Sequence, residues 1–206
     1  NLETEEIRRL KQDKTREELE EWFQGLIHEY VKWAKYLYHH TLRRNESLRE
    51  LQFPYEYRTG QKELAVSVSV YRAVRRKANL FIQAPTGIGK TLSVVYPSLK
   101  SMGNGTGEKL FYLTAKTITG SVAENCFSLL RGQGMLFTTV TVTAKEKLCP
   151  MEKTECNPDA CPCAKGHFDR VNDAVFDIIH EQQGITREIL LQYADRYQVC
   201  PFEFCL

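Results

Sequence analysis

The run Gln83-Ala84-Pro85-Thr86-Gly87-Ile88-Gly89-Lys90-Thr91 constrains this chain more than any other stretch. Apolar Asn79-Leu80-Phe81-Ile82 precedes it and reads as a buried strand. Leu92-Ser93-Val94-Val95-Tyr96 follows and reads as the first turns of a helix. Strand, glycine-bearing turn and helix start form the context of a phosphate-binding loop. Gly87 and Gly89 let the backbone bend tightly, so that the N–H groups of Pro85-Thr86-Gly87-Ile88-Gly89 that exist can approach phosphate oxygens. The helix N-terminus adds partial positive charge. In such a loop Lys90 reaches the β- and γ-phosphates and the Thr91 hydroxyl holds Mg²⁺. Ala84 stands where the first glycine usually does. The expected ligand is ATP or a close relative.

Apolar periodicity organises the rest. Thr15-Arg16-Glu17-Glu18 has the form of a capping box, and Leu19, Trp22, Phe23, Leu26, Ile27, Tyr30, Val31, Ala34, Leu37 and Tyr38 recur at three- and four-residue steps. This predicts one long amphipathic helix in a lead segment, residues 1–52. After Phe53-Pro54-Tyr55, residues 61–77 read as a helix, 79–83 as a strand, 109–114 as a strand, 121–130 as a helix and 137–142 as a third strand. Strands alternating with helices predict an α/β fold over residues 53–144, a P-loop (RecA-like) parallel sheet with helices on both faces. Residues 145–206 read as a small, mainly helical insert with helices near 168–182 and 186–197.

The charge of +2 does not by itself argue for nucleic acid, and the 42% hydrophobic content is that of an ordinary globular protein. No apolar run approaches the length of a membrane span and no signal peptide is present. The chain starts at Asn1 and stops at Leu206; both ends read as cuts in a longer protein. Seven cysteines without a secretory signal argue for a reducing, cytoplasmic compartment, where clustered cysteines bind metal more often than they form disulfides.

Cys126 stands apart in a helix and reads as a small core residue. Cys149, Cys156, Cys161, Cys163, Cys200 and Cys205 cluster in the insert. Structural zinc generally uses paired Cys-x-x-Cys knuckles, which this segment lacks. Thiolates from separate turns suit a [4Fe–4S] cluster. Cys149, Cys161 and Cys200 are each followed by proline, a pairing also found in ferredoxin ligation. The assigned ligands are Cys149, Cys156, Cys161 and Cys200, with Cys163 and Cys205 as extras; Cys161 against Cys163 is the open choice.

A loop of the form Ala-Pro-Thr-Gly-x-Gly-Lys-Thr, then Tyr112-Leu113-Thr114-Ala115-Lys116-Thr117, then a four-cysteine insert, resembles the XPD/DinG-like iron–sulfur helicases of superfamily 2 from about Phe53 onward. The short steps from Cys149 to Cys156 to Cys161 are similar to the bacterial DinG-like branch. Tyr57-Arg58-Thr59-Gly60-Gln61 looks like the family's adenine-side motif, which places Arg58 and Gln61 in the nucleotide site, Gln61 reading the adenine edge. The resemblance implies that Lys116 and Thr117 touch the DNA backbone and that Lys145 lines the strand path at the entry to the cluster segment. It further implies ATP-driven 5′ to 3′ movement on single-stranded DNA and opening of forked duplex. The family's Asp-Glu-Ala-His box and second motor domain are absent (Asp177 is followed by Ile178), so the piece alone is not expected to be a complete motor. The competing expectation is a non-motor nucleotide-binding module with a structural zinc site.

Overall fold

Thr15 and Glu18 close the expected capping box: the Thr15 N–H donates to Glu18 Oε2 at 2.8 Å and the Glu18 N–H to Thr15 Oγ1 at 3.2 Å. Two of the orphan donors at a helix start are thereby satisfied, and helix α1 runs from Arg16 to Glu50. The computed structural model describes residues 11–55, 62–83, 89–115, 117–153 and 155–206, with the backbone alone for 62–65 and 117–119. Further elements are α2 (Lys62–Arg76), α3 (Lys90–Gly103), α4 (Thr117–Arg131), β1 (Thr139–Val140), α5 (Lys145–Leu148), α6 (His167–Glu181), β2 (Gly184–Ile185), α7 (Arg187–Tyr197) and α8 (Pro201–Cys205). Among the described residues no helix is long and apolar enough to cross a membrane.

The chain divides into two units, one ending at Leu42 and the other running from Arg43 to Leu206. In the first, Leu19, Trp22, Phe23, Leu26, Tyr30 and Leu37 of α1 are exposed, so the apolar stripe read from the sequence faces outward.

The second unit holds two apolar cores. In the first, Leu48 and Leu51 pack with Val95, Leu99 and Met102 of α3 and with Phe127 and Leu130 of α4. Gly103 allows the close approach: a Cβ there would lie 2.9 Å from both Arg49 N and Leu48 Cβ. Across the same contact Arg49 Nη1 donates to Gly103 O at 3.0 Å and Lys100 Nζ to Leu51 O at 3.0 Å, satisfying carbonyls left open at the two helix ends. Pro97 lies inside α3 and cannot donate to the Ser93 carbonyl. The buried Ser67 hydroxyl of α2 donates to that carbonyl instead, at 3.4 Å. The second core joins Leu148, Ala174 and Ile178 of α6, Ile185, Leu190 and Tyr193 of α7, and Val199, Phe204 and Cys205.

The sheet corrects the sequence reading. The protein is mostly helical, and among the described residues strand is confined to β1 and β2, two residues each, paired in parallel with Thr139 opposite Gly184 and Val140 opposite Ile185. A RecA-like parallel sheet with helices on both faces is not what this chain forms. Of the three expected strands only 137–142 contributes, and its partner follows α6, in a stretch read as a connection between helices. Residues 78–83 and 108–114 lie outside any helix or strand, with Phe81 95% and Leu113 88% exposed. An apolar, β-branched run shows that a segment suits a strand; a ladder also needs a neighbour offering N–H and C=O groups in register, which the run does not encode.

Candidate metal centre and nucleotide loop

Local turns set the backbone at three cysteines of the insert. Cys149 ends α5, its N–H donating to Lys145 O at 2.8 Å. Asn157 makes the next turn: its Oδ1 accepts from the N–H groups of Asp159 at 3.0 Å and Ala160 at 2.8 Å, and the Cys161 N–H donates to Asn157 O at 2.9 Å. This seats Cys161 in a buried position. Cys200 caps α8, with Pro201 at the first helical position, where a missing N–H costs nothing.

Cys163 shows how close these thiols are. Burial pushes its pKa up, and the neighbouring Cys161, Cys200 and Cys149 push it further, as nearby negative charges do. Cys163, read as an extra, therefore stands among Cys149, Cys161 and Cys200. Cys156 sits on an exposed loop within reach of the Lys145 ammonium, whose pKa is raised first by Cys156 and then by Cys200 and Glu203. Cys205 is buried in the second core and Cys126 in the first, where desolvation lifts the Cys126 thiol to about 11.

Among the described residues no three His, Cys, Asp or Glu side chains close on a single-ion site. A [4Fe–4S] cluster is held by cysteine thiolates on separate irons, and a donor set of sulfur alone, delivered from α5, two loops and the cap of α8, fits that chemistry.

Two neighbours of these cysteines, His167 and Arg187, have no signal in the sequence pattern. His167 is 5% exposed, and its Nδ1 accepts the Cys200 N–H at 3.2 Å. Burial holds its pKa down, which favours the neutral ring with the proton on Nε2. Arg187 reaches back from α7 to Lys147 O, at 3.2 Å from Nε and 2.7 Å from Nη2, fixing the residues ahead of Cys149. Lys145 Nζ lies 5.6 Å from the centre of the Phe202 ring, within cation–π range. Lys145, expected along a DNA path, thus has its ammonium against Cys156 and Phe202.

At the other site Gly89 adopts φ 67°, ψ 34° and caps α3, its carbonyl accepting from Ser93 N at 3.0 Å. Left-handed backbone of this kind favours glycine. The helix start has no side-chain cap and no acidic residue in its first turn, and Lys90 is exposed there. The positive end of the helix dipole and an exposed lysine make it receptive to an anion. Thr91 Oγ1 lies 3.3 Å from the Tyr112 hydroxyl. Arg58, Gln61, Pro85, Thr86, Gly87, Ile88 and Lys116 lie outside the described residues; Thr117 opens α4, with its backbone alone described. No family model, curated protein or solved structure matches this chain.

Proposed function

We propose that this chain is the N-terminal part of a cytoplasmic ATP-dependent DNA helicase, 5′ to 3′ in polarity, that carries a [4Fe–4S] cluster. The observation that carries the reading is the set of sulfur donors Cys149, Cys156, Cys161, Cys163 and Cys200, delivered by the turns of one small segment, in the same unit as a glycine-capped helix that presents Lys90 and Thr91. The reading does not include the expected sheet.

In this proposal Cys149, Cys156, Cys161 and Cys200 hold the cluster, which when bound cross-links the loops of a segment whose own apolar core is small. The chain's residues do the rest. Lys90 neutralises phosphate charge at the start of α3, Thr91 offers a hydroxyl to Mg²⁺, and Arg58 and Gln61 take the adenine side. Lys116 and Thr117 contact single-stranded or forked DNA through phosphates. Lys145 steadies Cys156 and adds positive charge at the cluster's edge.

Anaerobic purification with iron, sulfide and zinc analysis tests the reading. About four irons per chain and a broad band near ~400 nm support it. Colourless protein holding zinc would move the assignment to a non-motor nucleotide-binding module. Binding to a single-stranded oligonucleotide should weaken steeply with salt, as phosphate contacts require; affinity indifferent to salt removes the DNA half of the proposal.

A further inference from the structure

Arg170, in the first turns of α6, joins two stretches of chain that carry different cysteines. Its Nε donates to Tyr197 O at 2.9 Å and its Nη2 to Gln198 O at 2.6 Å. The same Nη2 donates to Lys165 O at 2.8 Å. Tyr197 and Gln198 end α7, and Gln198 sits at φ 53° as its cap. Their carbonyls are among those a helix end leaves without partners, and two residues later the chain reaches Cys200. Lys165 closes the turn that begins at Cys161, whose carbonyl accepts from the N–H groups of Ala164 at 3.1 Å and Lys165 at 3.2 Å. One planar guanidinium therefore spans the Cys161 turn and the Cys200 turn.

Gly166 makes room for it. This residue is at φ 67°, and a Cβ placed on it would fall 2.5 Å from Arg170 Nη1 and 3.3 Å from Asp169 Oδ2. A side chain at 166 would strain the backbone and push the guanidinium off its carbonyls. Lysine at 170 has no planar fork and could serve only part of the set.

We infer that Gly166 and Arg170 form a clamp that sets the spacing between the Cys161 and Cys200 segments before metal binds, making Arg170 a positioning residue for the metal centre. This rests on the iron–sulfur reading above. A preset spacing lowers the ordering cost of assembling the site and keeps ligands in place when one bond opens. Residues that orient ligands without touching metal commonly change metal affinity by about 10- to 100-fold when removed.

The test compares Arg170→Ala, Arg170→Lys, Gly166→Ala and Val171→Ala. Val171 is the next residue of α6 and packs against the second core, and its apolar side chain can donate no hydrogen bond to the two turns' carbonyls, so it controls for lost stability. After reconstitution with ferrous iron and sulfide, Arg170→Ala and Gly166→Ala should lose the ~400 nm band in air about tenfold faster than the parent or faster still. Arg170→Lys should fall between, and Val171→Ala should keep the parental lifetime even where its Tm drops as far. A parental lifetime in Arg170→Ala, or a lifetime that simply tracks Tm across all four, overturns the clamp. A second readout needs no metal: a short bis-thiol cross-linker on metal-free protein, with the joined cysteines mapped by mass spectrometry. The parent should link the Cys161–Cys163 turn to Cys200 rapidly, and Arg170→Ala slowly. If the parent takes up no iron, the iron–sulfur reading fails, and the cross-linking alone decides the clamp: equal rates in parent and variant refute it.

Discussion

Gly103→Ala adds one methyl group where α3 crosses the last turn of α1, and its cost can be worked from the geometry. The new Cβ would meet Arg49 N and Leu48 Cβ at 2.9 Å and Asn45 O at 3.1 Å. Two of these are backbone atoms, which cannot turn aside as a side chain can, and Leu48 is fully buried. The helices must separate, stretching the bonds from Arg49 to Gly103 O and from Lys100 to Leu51 O. Overpacking of this kind costs about 1–3 kcal/mol. Alanine returns about 0.5–1 kcal/mol through its lower unfolded-state freedom in a helix. The net expectation is a loss of about 1–2 kcal/mol, or a Tm lower by about 3–6 °C at this chain length. Gly120→Ala in α4 supplies the contrast, because a Cβ there has no atom within 4 Å. With the clash removed and the propensity gain kept, its Tm should rise by about 1–3 °C. Thermal unfolding followed by circular dichroism measures both. Shifts of the same sign, or a Gly103→Ala protein as stable as the parent, would refute the close-approach argument.

Lys90→Ala removes a cation from the start of α3, and ATP affinity by titration calorimetry should fall at least about tenfold, some 1.4 kcal/mol; unchanged affinity would remove the phosphate-loop assignment. Serine at Cys149, Cys156, Cys161 or Cys200 should each lose iron, with the insert becoming protease-sensitive, while serine at Cys163 or Cys205 should keep it; bleaching of the Cys163 variant with a brown Cys161 variant would exchange those two ligands. Burial lifts the Cys126 thiol to about 11, so at pH 8 only about one molecule in a thousand carries the thiolate, and its alkylation should speed up about tenfold per pH unit as far as pH 10; fast labelling at pH 8 in folded protein contradicts that burial. The same shift fixes the sign of its effect on stability. Below the ordinary thiol pKa both states stay protonated, and above it the unfolded chain loses its proton first, so this contribution declines as pH rises from about 8.5 to about 11.

What could be read from residues alone was whatever closes over a few positions. The Thr15 capping box and the glycine at the start of α3, Gly89, whose carbonyl accepts from Ser93 N at 3.0 Å, each close their hydrogen bonds within three or four residues. The spans of α2, α6 and α7 followed from apolar spacing for the same reason: a helix finds its partners four residues away. Cysteine clustering in the insert was equally plain.

What needed the tertiary structure were partnerships between distant residues. Apolar 79–83 and 109–114 suit strands, yet the parallel pair forms between Thr139–Val140 and Gly184–Ile185, because a strand is completed by whichever segment packing brings beside it. The resemblance puts Lys145 on a strand path, and only the fold shows its ammonium 5.6 Å from the centre of the Phe202 ring of α8. Arg170 sits in a helix with nothing in its spacing to single it out, and its role comes from carbonyls 27 and 28 residues further on. Helical bonds are local and repeat along the chain; side-chain bonds to remote carbonyls depend on where two cores place their loops.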